Sequence, residues 1–191
     1  MMENRLEENY TVYIDFLKNN LSPYRYKHSL MSARIAREIS KILNLHPNQQ
    51  EKIVTAALLH DITKEKEADF HKSIFRKNNL EHLLDTPQPL WHAYSAPYFI
   101  KTLWNIDDAE TGNAIYYHTT GKPDMDTIEK IVFVSDFLSS SIKNQEFPLD
   151  ESLDIDILCL EKLTNTLTTL IQEKKVIQHD SINFYNQLIK K

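Results

Sequence analysis

The pair His60-Asp61 has the clearest chemical meaning in the sequence, because it ends an almost wholly apolar run, 53–59, that is typical of a buried helix. A carboxylate buried beside an imidazole costs free energy unless both groups are bound to a partner. A metal ion is the simplest such partner, since imidazole nitrogen and carboxylate oxygen suit iron, manganese, zinc or nickel. The pair therefore predicts a metal site.

Other residues with ligand-type side chains lie in apolar or aromatic segments; they are His28, His92, His118 and Asp136. Asp136 interrupts an apolar run, 131–138, in which an unpaired carboxylate would be strongly destabilising. One of these histidines alone is equally consistent with a satisfied core residue, and Asp136 alone with a loop cap or a lysine partner. The whole set favours a metal centre. A metal ion held there would lower the pKa of its bound water, as the hydrolysis of phosphate esters requires.

Two cations follow the helical register of these ligands. Lys64 comes three residues after Asp61, and Arg25 comes three residues before His28, so each can face the same pocket as its neighbour. Arginine offers a forked pair of donors to phosphate oxygens, and lysine offers a point charge. The sequence therefore predicts a phosphate-binding site next to the metal.

Helix-start signals recur along the chain and place these residues on or beside helices. Ser22-Pro23 is an N-cap followed by proline at the first helical position, and it opens the helix that carries His28. His46-Pro47 opens the helix that ends at the histidine–aspartate pair. Asp126 and Glu129 match a capping box in front of the apolar run around residue 134. Further helices are predicted within 65–79 and at about 91–104, 107–118, 151–174 and 180–190.

Two expectations concern polar segments between these helices. The segment 86–89 contains two prolines and is predicted to be non-helical, because proline restricts the residue before it as well as itself. The histidines outside the ligand set lie in polar or turn-like settings, and we expect His46, His71 and His82 to be surface residues.

The composition favours an all-α fold in one domain. The chain has 191 residues and only two glycines, whereas sheets need glycine at hairpins and bulges. This length suits a single well-buried core. We expect one domain, 1–191, with its core at about 24–150 and with N- and C-terminal helices packed on that core.

Charge and cysteine content limit the classes of partner. The net charge of −5 argues against nucleic acid as the main partner but allows a small phosphorylated ligand in a locally basic pocket. No apolar stretch approaches the length that spans a membrane. The single cysteine, Cys159, is predicted to be a core residue and fits a reducing compartment. With an acidic N-terminal segment unlike a signal peptide, these features predict a cytoplasmic protein.

The order His28, His60-Asp61, Asp136 resembles the H…HD…D signature of the HD-domain metal-dependent phosphohydrolases. More narrowly, the chain is similar to the YqeK group, the bacterial HD-domain hydrolases that cleave diadenosine tetraphosphate symmetrically. The segments that carry this closer resemblance are 25–30, 56–61 with Lys64, 90–93, 115–123, 176–181 and 185–186. The most specific of them is 115–123, which contains the sequence His-Thr-Thr-Gly.

The resemblance implies a compact, all-helical HD-domain fold, an iron-bearing site and cleavage of a dinucleoside polyphosphate into two ADP molecules. Manganese, nickel or another divalent metal remains an option, as does a homodimer. Carried over by position, the metal ligands are His28, His60, Asp61 and Asp136. The residues that would line the phosphate site are Arg25, Lys64, His92, His118 and Thr119.

Three further assignments follow from the same resemblance. Asp61 and Lys64 would take part directly in catalysis. His92 and His118 could instead complete a second metal site, with Asp61 as the bridge. The segment around Tyr185 and Asn186 would approach the nucleoside.

One departure from the family pattern leaves the substrate open. The family usually follows its last aspartate with a run that ends in arginine, whereas this chain has Ile142 at that place, with Lys143 next to it. The first alternative is the same machinery acting on a nucleoside triphosphate, a guanosine alarmone or a cyclic dinucleotide. The second alternative is a non-catalytic nucleotide sensor, although such proteins typically lose ligands that are retained here.

Overall fold

The computed structural model describes residues 3–141 and 152–190, which form α-helices and two short 3₁₀ helices, with no strand in these ranges. The prediction of an all-α fold is confirmed. The α-helices are α1 (Glu3–Asn20), α2 (Pro23–Ile42), α3 (Pro47–Leu59), α4 (Ala68–Lys77), α5 (Trp91–Trp104), α6 (Ala109–Tyr116), α7 (Thr127–Ser141), α8 (Ile155–Gln172) and α9 (His179–Leu188).

The main core forms where α2 packs against α3 and α7, with α6 closing against α3 and α7. Side chains such as Ile35, Leu58 and Val132 are fully buried there, and the whole apolar run 53–59 is buried. Burial of this apolar area stabilises the packing of helices that individually are only marginally stable. These same helices carry most of the predicted metal ligands.

The start of α2 is held by two layers of capping. The Ser22 hydroxyl accepts a hydrogen bond from the Arg25 backbone N–H at 3.2 Å, as the sequence predicts. The carboxylate of Glu65, in the segment after α3, accepts from the Ser22 N–H at 2.7 Å and from its hydroxyl at 2.5 Å. The first turn of α2, which carries Arg25, is therefore tied to the turn that carries the His-Asp pair.

A second, smaller core lies between α4, α5 and the 3₁₀ helices, around Phe75 and Trp91. The expectation that 86–89 is non-helical is correct for Thr86 and Pro87, but Gln88–Leu90 forms a 3₁₀ turn. Proline fits the start of such a turn because its missing N–H has no helical partner to lose there.

The prediction that His71 is a surface residue is wrong. Its side chain is buried, with Nδ1 2.8 Å from the Ser95 hydroxyl and Nε2 3.2 Å from the Lys66 carbonyl oxygen. Its polar sequence neighbours conceal that the inner face of α4 packs on α5. His46 and His82 are exposed, as predicted.

The C-terminal helices close the fold over the segment that follows α6. Helix α8 packs on α7, and α9 packs on α8. The Ser181 hydroxyl donates to the Thr120 carbonyl oxygen at 2.8 Å, which fixes the loop after His118 to the start of α9. Cys159 is buried, as predicted. In the described ranges, no helix combines the length and the apolar character needed to span a membrane.

The two glycines allow a matched test of this closure. Gly121 has a φ of +62°, and a Cβ there would lie 2.6 Å from Cδ1 of Phe184 on α9. Gly112 lies inside α6, where a Cβ would meet its nearest neighbour, Pro97 Cβ, at an ordinary 3.9 Å. Gly121→Ala is expected to lower the free energy of unfolding by about 2 kcal/mol or more, from backbone strain and overpacking. Gly112→Ala is expected to raise it by about 0.5–1 kcal/mol.

Urea denaturation of both variants checks this pair of opposite signs. Equal effects at the two positions would show that the contact between the loop and α9 is not constraining.

Candidate metal centre and phosphate pocket

The structure brings together all the residues predicted as metal ligands. They come from the second turn of α2, the end of α3, the first turn of α5, the segment after α6 and the apolar helix α7. All are buried except Asp136, whose side chain is 23% exposed. Because rigid helices carry them, residues more than 100 positions apart in sequence meet in one place.

One half of the centre is formed by His28, His60 and Asp136. Nε2 of His28 lies 3.2 Å from Nε2 of His60 and 3.1 Å from Oδ1 of Asp136. Nε2 of His60 lies 3.5 Å from the same carboxylate oxygen. These three ligand atoms lie within 4.8 Å of one another, a spacing that a single metal ion can bridge.

The other half is formed by His92 and His118, whose Nε2 atoms are 3.2 Å apart. Asp61 lies between the two halves. Its Oδ1 is 3.1 Å from Nε2 of His92 and 3.7 Å from Nε2 of His118. Its Oδ2 is 3.6 Å from Nε2 of His28 and 3.5 Å from Nε2 of His60. The Asp61 carboxylate therefore faces both pairs of imidazoles.

Backbone carbonyls fix the orientation of three of the four rings. In each case Nδ1 lies 2.6–2.8 Å from the carbonyl oxygen three residues earlier, and the pairs are His60 with Ala57, His92 with Pro89, and His118 with Ile115. A carbonyl only accepts, so Nδ1 carries the proton in each ring. In the neutral rings, Nε2 is left with a lone pair that faces the centre, as in metal-binding histidines.

Nδ1 of His28 also carries a proton, but its hydrogen-bond acceptor is a serine hydroxyl instead of a backbone carbonyl. The hydroxyl of Ser139 donates to the Asp136 carbonyl oxygen at 2.7 Å, so its oxygen is free to accept from Nδ1 of His28 at 2.9 Å. This serine is one turn beyond the aspartate on α7. The helix that supplies the carboxylate thus also orients the histidine opposite it.

The electrostatics of the cluster match a cation site. Oδ1 of Asp61 is buried and accepts no hydrogen bond within the described part of the chain. Burial would lower the pKa of His60, but Asp61 and Asp136 raise it to about 9. Burial lowers the pKa of His118 to about 3. Imidazole nitrogens and a buried carboxylate oxygen without a hydrogen bond are the donor set that a divalent metal ion takes, and the residues fit such an ion.

Lys162 on α8 is a buried residue of the centre that the sequence analysis missed. Its ammonium group donates to Oδ2 of Asp136 at 2.8 Å and to the carbonyl oxygens of His118 and Phe133 at 2.8 and 2.7 Å. Burial would raise the pKa of Asp136, but the Lys162 charge and the neighbouring imidazoles hold it well below its usual range. The available signal was the register of Lys162 with the buried stripe Cys159 and Leu163.

Three side chains around the centre carry hydrogen-bond donors that lack either any partner or a carboxylate partner. Arg25 forms an ion pair with Oδ2 of Asp61, but its Nε is buried and unpaired, as is the hydroxyl of Thr119. Nζ of Lys64 lies 3.1 and 3.3 Å from the ring nitrogens of His92, and no carboxylate of the described residues is within ion-pair distance of it. Burial lowers the pKa of Lys64. Donors in this state suit an anion, and we call the space between them the anion pocket.

The predicted nucleoside contacts are not joined to this pocket by hydrogen bonds. Tyr185 packs on the main core, and Asn186 is exposed on α9. Within the described ranges, neither side chain is hydrogen-bonded to a residue of the centre, and their assignment stays a prediction. The departure from the family pattern at Ile142 and Lys143 lies outside the described residues.

Comparison with known proteins identifies similar bacterial proteins. The symmetrical bis(5'-nucleosyl)-tetraphosphatase of Halalkalibacterium halodurans is 29% identical, over 92% of this chain and 95% of that protein. The protein of the same name from Bacillus subtilis is 28% identical, over 91% and 94%. A Clostridium acetobutylicum crystal structure, described as a "predicted HD superfamily hydrolase involved in NAD metabolism", has a TM-score of 0.79 and 29% identity, and covers 95% of this chain and 97% of that one.

The family model of the HD domain matches residues 25–141. This range contains all the histidines and aspartates predicted to be metal ligands, and the expected resemblance to the HD-domain phosphohydrolases is confirmed. The chain belongs to the HD domain family.

Proposed function

We propose that this protein is a metal-dependent phosphohydrolase that cleaves diadenosine tetraphosphate symmetrically into two ADP molecules. The observation that carries the proposal is the position of the Lys64 ammonium, partly buried and without a carboxylate partner, beside a cluster of imidazole lone pairs. A cation left in this state is suited to a phosphate oxygen. The names of the similar bacterial proteins support the choice of substrate.

The residues that would hold the metal are His28, His60, Asp61 and Asp136. A second ion would use His92, His118 and the Asp61 oxygen that accepts no hydrogen bond, which lies 3.1 and 3.7 Å from their Nε2 atoms. We assign iron as the resident metal, with manganese or nickel as alternatives of the same ligand preference. When bound, such a cation polarises a phosphoryl oxygen and lowers the pKa of water.

The residues of the chain bind and orient the polyphosphate. Arg25 lies at the His28 side of the Asp61 carboxylate, and Lys64 lies at its His92 side. Cations on both sides hold phosphate groups on both sides of the cleaved linkage, and this supports cleavage near the middle of the chain. The Thr119 hydroxyl donates a further hydrogen bond to a phosphate oxygen. This hydrogen bond strengthens as negative charge develops on that oxygen in the transition state.

The first test is a product analysis. The protein is purified anaerobically, loaded with ferrous iron and given diadenosine tetraphosphate, and the nucleotides are resolved by anion exchange. We expect ADP as the only product and loss of turnover in Asp61→Ala, because this variant removes the carboxylate that faces both pairs of imidazoles. ATP with AMP would contradict symmetrical cleavage. No turnover by the iron-loaded protein would favour another phosphate substrate, and no turnover with no bound metal would favour the sensor.

A variant at Lys64 tests phosphate binding separately from metal binding. Lys64→Gln is expected to keep its metal content but to lower kcat/KM for diadenosine tetraphosphate about 100-fold, which corresponds to about 2.7 kcal/mol of transition-state stabilisation. The exposed surface variant Lys101→Gln is the control and should match the wild type. Elemental analysis measures the metal content, and steady-state kinetics on the same samples measure kcat/KM. An unchanged kcat/KM would exclude Lys64 from the phosphate site.

Lys162 tests whether the centre depends on α8. Lys162→Met leaves the Asp136 carboxylate without its ammonium partner, and we expect a loss of about 3 kcal/mol in the free energy of unfolding of the metal-free protein. The double variant with Asp136→Asn should lose less, because it leaves no uncompensated charge. Lys72→Met, which removes an exposed ion pair with Asp69, should cost at most about 0.5 kcal/mol. Urea titrations measure these three variants and Asp136→Asn alone, and a double variant as unstable as the sum of its two single variants would show that the pair is not coupled.

A further inference from the structure

A cavity of about 230 Å³ adjoins the metal centre and is not used by the mechanism above. It shares Lys64 and His92 with the centre, and its other lining residues are Lys66, His71, Gln88 and Pro89. The 3₁₀ turn Gln88–Leu90 forms one wall and the segment between α3 and α4 forms the other. The cavity therefore extends the anion pocket away from the Arg25 side.

The lining of this cavity is positively charged. It includes the ammonium groups of Lys64 and Lys66 and contains no carboxylate. Nζ of Lys66 lies 5.8 Å from the Phe70 ring centroid, and no carboxylate of the described chain lies within ion-pair distance of it. Two uncompensated ammonium groups facing one small space attract an anion.

The wall that carries Lys66 is fixed in place. The Lys66 carbonyl oxygen lies 3.2 Å from Nε2 of buried His71, whose Nδ1 lies 2.8 Å from the Ser95 hydroxyl. That hydroxyl also lies 3.0 Å from the hydroxyl of Thr63, which donates to the His92 carbonyl oxygen at 2.9 Å. Hydrogen bonds thus connect the Lys66 backbone to the backbone of a residue in the centre, so the two parts keep a constant separation.

The size of the cavity limits its occupant. Pockets that enclose a whole drug-sized ligand measure about 300–1,000 Å³, and this cavity of about 230 Å³ is smaller. It has room for a phosphate group. The exposed Gln88 amide at its edge offers a neutral donor to the same anion.

We propose that this cavity is a subsite for a phosphate group next to the one that is attacked, with Lys66 as its cation and Gln88 as its neutral donor. The inference rests on the proposed function and deepens it. A substrate with a further phosphate beyond the cleaved linkage fills the subsite, whereas a phosphodiester with one phosphorus atom leaves it without an anion. The cavity therefore favours polyphosphate chains over simple diesters.

The test compares two substrates in matched variants. The measured quantity is kcat/KM for diadenosine tetraphosphate divided by kcat/KM for bis(p-nitrophenyl) phosphate, which carries a single phosphate. Lys66→Gln is expected to lower this ratio about tenfold, because one charge-assisted contact is lost. Gln88→Glu should lower it further, because it places a carboxylate beside the anion. Lys66→Arg keeps the charge and should keep the ratio within about twofold of the wild type.

Controls outside the cavity are Lys77→Gln at the exposed end of α4 and Gln172→Glu at the exposed end of α8. If Lys66→Gln and Gln88→Glu leave the ratio unchanged in an active enzyme, or if the controls lower it equally, the subsite is overturned. If the diester is not turned over, KM for diadenosine tetraphosphate in the same variants replaces the ratio as the measured quantity. KM is then expected to rise in Lys66→Gln, to rise further in Gln88→Glu and to stay near the wild-type value in Lys66→Arg. A wild-type protein that does not cleave diadenosine tetraphosphate instead overturns the proposed function.

Discussion

Two pairs of imidazole rings meet in one buried space, with the Nε2 atoms of each pair 3.2 Å apart, and this crowding of ring nitrogens is the constraint on which the structure depends. The carboxylate between them adds negative charge that water cannot solvate. A metal ion would be coordinated by these ring nitrogens and by the Asp61 oxygen that accepts no hydrogen bond, so the centre is suited to a state with metal bound. The core around α2, α3 and α7 holds these ligands together.

The arrangement is imposed by the helix ends. His60, His92 and His118 lie in a last turn, a first turn or just beyond a helix, where the carbonyl three residues earlier can accept a hydrogen bond from the ring. His28 and Asp136 lie within helices, and there Ser139 and Lys162 do the orienting. Ring orientation is thus part of the secondary structure, and it keeps each Nε2 directed inwards without any flexible loop.

The sequence reveals the ligands and the helix starts because both are local signals. Asp136 and the His-Asp pair are polar residues in apolar runs, and Ser22-Pro23 and His46-Pro47 are caps that act within one turn. Lys162 and His71 were missed because their burial depends on which helix packs on which. A lysine such as Lys162 on an amphipathic helix is usually solvated. The sequence of α4 is largely polar, and only its packing on α5 shows that His71 is buried.

The balance of charge explains why the centre is suited to a polyanion rather than to a single phosphate. Arg25, Lys64 and Lys162 surround the two carboxylates of Asp61 and Asp136, so the cations already exceed the anions before any metal is bound. A divalent ion increases this excess. An anion with one or two charges cannot neutralise the site, whereas a chain of several phosphates can, and it can do so on both sides of Asp61 at once. The distribution of cations along the pocket, more than any one of them, therefore selects the class of substrate.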